Sequence, residues 1–133
     1  MKHFGDITKL DGSKLPIVDI ITGGSPCQDL SVAGKRAGLS GERSGLFMEQ
    51  IRIVKEMRDE CARQIRMRGA DVDFRLLKPR FMVWENVPGA FSSNKGEDFR
   101  CVLEETAKIA DENASIPRPE GGHGARQDAL WIS

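Results

Sequence analysis

The chain has 133 residues, of which 20 are basic and 20 are acidic, so its formal net charge is zero at neutral pH. This length predicts at most one domain, and the balanced charge neither supports nor excludes a nucleic-acid partner. Three widely spaced cysteines without a CxxC pair argue against a zinc site, and no apolar run approaches the roughly 20 residues that cross a membrane.

The first predicted element is a β-strand within residues 14–22. Residues 17–21 form a near-continuous apolar run, which is typical of a parallel strand covered on both faces. A long loop with five glycines follows over residues 23–41. Loops of that length inside a compact domain are functional or disordered, and here the functional alternative is favoured.

The first helix is predicted to begin at Ser44 or Gly45. Its apolar residues recur at helical spacing and predict a single stripe that faces the core. Residues 69–77 then break the pattern, as in an insertion or an extended loop. The stripe consists of Leu46, Phe47, Ile51, Val54, Met57, Cys61 and Ile65.

A second strand and a second helix complete the predicted order. Residues 81–84 predict the strand, and residues 98–110 predict an amphipathic helix. Cys61 and Cys101 fall on the apolar faces of the two helices and are expected in the core. The order strand, helix, strand, helix predicts parallel packing with a right-handed crossover, and therefore an α/β fold.

Chemistry-bearing residues follow both predicted strands. Pro26 and Cys27 follow the first strand, and Glu85 and Asn86 follow the second. Enzymes of the α/β class place their chemistry outside the carboxyl ends of the strands. A free cysteine is usually a small buried hydrophobe, but the polar neighbours of Cys27 favour a nucleophile. For Glu85 the alternatives are a helix N-cap or a surface carboxylate, whereas its place beside a tryptophan at a strand end favours a functional carboxyl group.

These two clusters resemble motifs of the DNA (cytosine-5) methyltransferase family. The matching motifs are Pro26-Cys27-Gln28 followed by Ser31, and Glu85-Asn86-Val87. The resemblance covers about residues 4–110. Three further segments resemble the family in order and spacing, namely residues 5–8, residues 41–47, and Gly96 with Phe99.

The resemblance implies a partial Rossmann-like, doubly wound parallel sheet. The family's glycine-rich cofactor loop, ribose-binding acidic residue and DNA-reading domain have no counterpart in this sequence. We therefore expect residues 1–112 to form the central part of the catalytic domain and residues 113–133 to form an irregular tail. A complementing chain is expected to supply the other segments, and the isolated chain is expected to be weakly active or inactive.

The same resemblance implies methyl transfer from S-adenosylmethionine to a cytosine flipped out of double-stranded DNA. Cys27 would add to carbon 6 of the ring, Glu85 would hold nitrogen 3 and the exocyclic amine, and Asn86 would brace the two loops. The implied cofactor-binding residues are Asp6, Ile7, Pro26 and Leu46, although Asp6 is equally expected to stabilise a turn. The implied DNA-binding residues are Gln28, Ser31, Lys35 and Arg43, each of which also suits a solvated loop.

Other interpretations stay open. A non-catalytic remnant or interaction module would keep the fold but bind neither cofactor nor DNA. A cysteine hydrolase would need a histidine base, and the two histidines, His3 and His123, lie near the ends of the sequence. The basic residues between positions 63 and 80 favour a solvated helix face and linker over a DNA-binding patch. An odd number of cysteines without a signal-type segment predicts reduced thiols in the cytoplasm.

Overall fold

The computed structural model of the chain describes residues 2–24, 45–85 and 96–117. The chain divides into two compact units, Met1–Asn86 and Val87–Ser133. Within the described ranges, the first unit contains a two-stranded parallel sheet and a long helix, and the second unit contains one helix. These elements confirm a small α/β fold.

The sheet pairs strand β1, Ile20–Gly24, with strand β2, Phe81–Glu85, in parallel. The last pair of the register aligns Gly24 with Glu85, so the two strands end side by side. The predicted second strand is confirmed, whereas β1 begins later than the apolar run at residues 17–21 predicts. A parallel ladder starts only where both strands run side by side, and β2 is too short to pair with the earlier apolar residues.

One face of the sheet is exposed, and the other face packs on a helix. Side chains alternate between the two faces, and on the open face Ile20, Phe81 and Val83 are 54%, 57% and 52% exposed. The prediction that the first strand is covered on both faces is therefore wrong for this chain. The helix of the first unit packs on the opposite face, which carries Trp84.

Helix α1, Leu46–Met67, begins one residue after Gly45, the later of the two predicted starts. The ring of Phe47 meets the indole ring of Trp84 edge-on, with ring centroids 5.9 Å apart, and this contact seats the helix on the inner face of the sheet. Leu46 was expected in the core stripe but is 44% exposed, because it lies about 100° around the helix from Phe47. The buried residues of the stripe are Phe47, Ile51, Val54 and Met57.

Two short 3₁₀-helices precede β1. They span Ile7–Lys9 and Gly12–Lys14. The carboxylate of the residue before each one, Asp6 or Asp11, accepts the main-chain N–H two residues further on at 3.0 Å. These are short side-chain turns of the kind that aspartate favours, and they set the path of the chain toward the sheet.

In the second unit, helix α2 spans Glu97–Ala107, one residue earlier at its start and three residues earlier at its end than predicted. Arg100 forms ion pairs with Glu97 and Glu104 and donates to the carbonyl oxygen of Ile116 at 3.0 Å. The carboxylate of Glu104 accepts the main-chain N–H of Ile116 at 3.2 Å. These bonds hold the segment after the helix against the helix itself.

One of the two cysteines that are predicted to lie in the core is exposed instead. Cys61 is half-buried, but Cys101 is exposed, so its predicted core position is wrong. The buried residues of α2 are Asp98 and Val102, and Val102 lies one residue along from Cys101 and therefore on another side of the helix. The basic residues between positions 63 and 80 are exposed, as predicted. Neither helix in the described ranges combines the length and the apolar character needed to span a membrane.

Candidate active site

Glu85 lies at the edge where the two strands end. A Cβ atom placed on Gly24 would lie 3.7 Å from the Cβ atom of Glu85 and 4.0 Å from its Oε2 atom. The exposed side chain of Glu85 therefore lies beside the point from which the chain continues toward Cys27. Glu85 is the last residue of β2 and its side chain is exposed, so the surface-carboxylate alternative stays open beside the functional one.

A cavity of about 190 Å³ opens at the end of β1. Two of the residues implied in cofactor binding, Ile7 and Leu46, line this cavity. The largely apolar lining suits the faces of a flat ring better than it suits a charged group. The remaining lining residues are Ile21, Thr22, Gly23, Gly24, Gln50 and Ile53.

Asp6 immediately precedes Ile7, which lines this cavity, and the side chain of Asp6 stabilises a turn. Its Oδ1 atom accepts the main-chain N–H of Thr8 at 3.0 Å and the hydroxyl group of Thr8 at 2.8 Å. The main-chain hydrogen bond has the larger effect on the pKa of the Asp6 carboxyl group, and the hydroxyl hydrogen bond has the smaller one. Both hold this pKa below its ordinary value, because they stabilise the ionised form. The turn-stabilising role of Asp6 is therefore present, and its role toward a cofactor stays a prediction.

Arg52 of α1 fixes the first 3₁₀-helix. Its two terminal nitrogens donate to the carbonyl oxygens of Ile7 and Leu10, each at 2.8 Å. The guanidinium group also binds the carboxylates of Glu56 and Glu49, and these hydrogen bonds raise the pKa of Arg52 above its ordinary value. Arg52 carries no signal in the sequence beyond its spacing from two glutamates, which predicts ion pairs within the helix.

Glu56 fixes the second 3₁₀-helix. Its Oε2 atom accepts the main-chain N–H of Gly12 at 2.6 Å. Gly12 is buried, and a Cβ atom at this position would lie 2.7 Å from the carbonyl oxygen of Ile53. Only glycine allows this close approach, so the N-terminal segment is held against α1 at two points.

Gln50 is a buried amide in the wall of the cavity. Its side chain is 6% exposed, and its Nε2 atom has no hydrogen-bond partner among the described residues. The amide lies against Gly23, where a Cβ atom would be 2.7 Å from Oε1 and 2.9 Å from Nε2. Nothing in the sequence distinguishes Gln50 from a solvated polar residue of an amphipathic helix.

Most of the predicted catalytic and DNA-binding residues lie outside the described residues, so their roles stay predictions. The structure brings Ile7 and Leu46 to one cavity and Glu85 to the neighbouring strand end. In the part of the chain that the structure describes, no group of three or more histidine, cysteine, aspartate or glutamate side chains could hold a metal ion. The predicted site residues outside this part are Pro26, Cys27, Gln28, Ser31, Lys35, Arg43 and Asn86.

Parallel strands that end beside a carboxylate and a cavity are typical of α/β enzymes, which bind their ligands at this edge. The family model for C-5 cytosine-specific DNA methylase matches residues 1–110. The chain therefore belongs to the C-5 cytosine-specific DNA methylase family, as the motifs around Cys27 and Glu85 predict. No solved structure matches the chain.

The chain is similar to several curated DNA methyltransferases. It is 34% identical over 107 residues to the orphan methyltransferase M.SPRI of Bacillus phage SPR, an alignment that covers 80% of this chain and 20% of that protein. It is 30% identical over 135 residues to the DNA (cytosine-5-)-methyltransferase M.ApeKI of Aeropyrum pernix, covering 96% of this chain and 24% of that protein. A protein of Escherichia phage P1 named DNA N-6-adenine-methyltransferase is 33% identical over 136 residues, covering 97% of this chain and 16% of that protein. The chain spans about a fifth of the length of these relatives.

Proposed function

We propose that this chain provides the catalytic edge of a cytosine-5 DNA methyltransferase that transfers a methyl group from S-adenosylmethionine to carbon 5 of cytosine. The observation that carries the proposal is the pairing of Gly24 with Glu85. Because Gly24 pairs with Glu85, the segment that follows Gly24 and contains Cys27 begins beside the carboxylate of Glu85. A nucleophile and an acid that act on opposite sides of one pyrimidine need this kind of proximity.

In the proposed reaction, the Cys27 thiolate attacks carbon 6 of the cytosine, and a bond forms between Sγ and carbon 6. The electron pair of the double bond between carbons 5 and 6 moves onto carbon 5 and the ring. Glu85 holds a proton at nitrogen 3, which neutralises the charge that arrives on the ring. Carbon 5 would take the methyl group from the sulfonium sulfur of the donor; the bond between the methyl carbon and that sulfur would break with its electron pair staying on sulfur, so a neutral thioether would leave. Loss of the proton from carbon 5 to solvent, expulsion of the thiolate and return of the nitrogen 3 proton to Glu85 would then restore the aromatic ring, Cys27 and Glu85.

The described residues fit the adenosine part of such a donor. Ile7 and Leu46 supply apolar walls that suit the faces of a purine ring, and Asp6 lies next to Ile7 with an ionised carboxylate that can accept from an amine. Pro26, which follows β1, is the fourth residue of this proposed site.

DNA is the proposed substrate, with the target cytosine flipped out of the duplex so that Cys27 can reach its ring. Gln28, Ser31, Lys35 and Arg43 would contact the DNA, and Lys35 would meet a phosphate. Asn86 would hold the two strand-end segments together. We place this reaction in the cytoplasm.

A complementing polypeptide is also proposed, completing a doubly wound sheet of Rossmann type. Parallel sheets are covered on both faces, whereas Ile20, Phe81 and Val83 leave one face of this sheet exposed. The chain's span of about a fifth of its relatives supports the same proposal. Alone, the chain is then expected to methylate poorly.

Covalent trapping tests the proposal. DNA that carries 5-fluorocytosine lacks the carbon 5 proton, so a methylated adduct cannot collapse and the protein stays attached to the DNA. With the methyl donor and the complementing polypeptide present, this chain should form the adduct, and Cys27→Ser should abolish it. Cys101→Ser is the matched control, because Cys101 is an exposed thiol on α2, and this variant should retain the adduct.

Three outcomes would overturn the proposal. An adduct that survives Cys27→Ser assigns the addition to another group. Methylation of adenine, the base in the name of one relative, would require no thiol addition and would therefore survive the same substitution. If neither an adduct nor binding of S-adenosylhomocysteine by calorimetry is found, the non-catalytic alternative is correct.

A further inference from the structure

The cavity at the end of β1 contains a polar group that the proposed reaction does not use. Leu46, Gln50 and Ile53 follow one another at spacings of four and three residues, so they share a face of α1 and line the cavity together. Of these three residues, only Gln50 has a polar side chain. Its side chain is 6% exposed and its Nε2 atom has no partner among the described residues.

A buried amide donor without a partner is costly, since it has lost its water and gained nothing in return. Position 50 lies between the buried stripe residues Phe47 and Ile51, where an unbranched apolar side chain of the same length, such as methionine, would avoid this cost. The retained amide is therefore informative. Native proteins leave few such groups, and a ligand that accepts the hydrogen bond is one physical reason for keeping one.

The wall opposite Gln50 is adapted to the amide. A Cβ atom on Gly23 would lie 2.7 Å from Oε1 and 2.8 Å from the amide carbon, so any larger residue at position 23 would displace the side chain of Gln50. The rest of the lining is largely apolar and includes Ile7, Ile21 and Leu46. The cavity thus combines apolar walls with a residue whose buried amide nitrogen lacks a partner among the described residues, and this combination fits a flat heteroaromatic ring with an acceptor nitrogen at its edge.

We propose that Gln50 is a ligand-binding residue whose Nε2 atom donates a hydrogen bond to a ring nitrogen of the purine of the methyl donor. This inference rests on the proposed function, because it takes the ligand of the cavity to be the adenosine part of S-adenosylmethionine. It adds a specificity-determining contact, since a ring that lacks the acceptor nitrogen would leave the buried amide without a partner.

Replacing the amide without changing its size tests the inference. In Gln50→Met, affinity for S-adenosylhomocysteine should fall about tenfold, equivalent to about 1.4 kcal/mol, while the thermal midpoint of the ligand-free protein stays constant or rises. Gln64→Met is the matched control on the same helix, because the Gln64 amide already donates to Glu60 at 2.9 Å. The control should leave affinity unchanged. A lower thermal midpoint of Gln50→Met with unchanged affinity would overturn the inference, because the protein itself would then satisfy the amide.

Analogues of S-adenosylhomocysteine in which a single purine ring nitrogen is replaced by carbon identify the acceptor. The wild-type protein should bind one of these analogues about tenfold more weakly than the parent compound, and Gln50→Met should lose this discrimination. Discrimination that is equal in both proteins would overturn the inference and leave the proposed function intact. If the wild-type protein does not bind S-adenosylhomocysteine even at millimolar concentration, the proposed donor site and the inference fail together.

Discussion

Arg52→Lys should loosen the segment that carries Asp6 and Ile7 while it preserves the charge of the side chain. The ammonium group of lysine is a compact point, and it cannot span the carbonyl oxygens of Ile7 and Leu10 together with two carboxylates as the planar guanidinium group does. Each lost carbonyl bond is worth about 1 kcal/mol, since the Arg52 side chain is 33% exposed and solvent screens its charge. The free energy that holds the segment closed should fall by about 2 kcal/mol, which is the sum of the two bonds.

Hydrogen exchange of individual main-chain amides measures this opening. A loss of about 2 kcal/mol accelerates exchange by about 30-fold at amides that are protected only while the segment is docked, and the amide of Gly12, which donates to Glu56 of α1, is the reporter. Arg63→Lys is the control, because Arg63 lies on the same helix and pairs with Glu60 at a more exposed position. Unchanged exchange in Arg52→Lys, or equal acceleration in the control, would refute the role assigned to Arg52.

Three other substitutions probe the packing and the charges. Gly12→Ala should lower the free energy of unfolding by about 1–3 kcal/mol in urea denaturation, because the added methyl group meets a main-chain carbonyl oxygen at 2.7 Å, and a wild-type midpoint would contradict that contact. Phe47→Ala should cost about 3–5 kcal/mol, followed by Trp84 fluorescence in a Trp131→Phe background, and a loss below about 1 kcal/mol would show that the aromatic contact does not anchor α1. Hydrogen bonds from Lys108 and from the main chain lower the pKa of Glu104 from 4.5 to about 2, so its stabilising effect is complete above about pH 4.5 and is lost as the pH falls toward 2. Glu104→Gln should remove this acid dependence of amide protection in residues 97–116, and a carboxyl titration of Glu104 near pH 4.5 by NMR would contradict it.

The spacing of apolar residues predicts which strands and helices this chain forms better than it predicts where each one begins and ends. The start of α1 and the position of β2 follow from apolar patterns in the chain itself, because each element buries one stripe or one run. The start of β1 depends instead on where β2 begins, and no local pattern encodes that limit. Cys101 shows the same limit in a helix, since the apolar pattern identifies a face only to within one position.

The candidate site likewise contains residues that the sequence predicts and residues that it does not. The motifs predict the cofactor-binding residues Ile7 and Leu46, and the structure brings these two residues to one cavity. Arg52 escapes prediction because its carbonyl partners lie 42 and 45 positions away in the sequence. Side-chain to main-chain bonds over such distances leave no spacing to read, since every residue offers a carbonyl oxygen.

An occupant of the cavity would explain the residues around the end of β1 together. A sequence selected for stability alone would place an apolar side chain at position 50, since that change would remove an orphaned donor. Arg52 fixes the segment that supplies Ile7 to the same cavity. The hydrogen bonds of Arg52 therefore stabilise the surroundings of the Gln50 amide, which is itself destabilising. A destabilising residue inside an otherwise well-ordered region is expected where function has selected that residue. Gln50 in the cavity wall is such a residue.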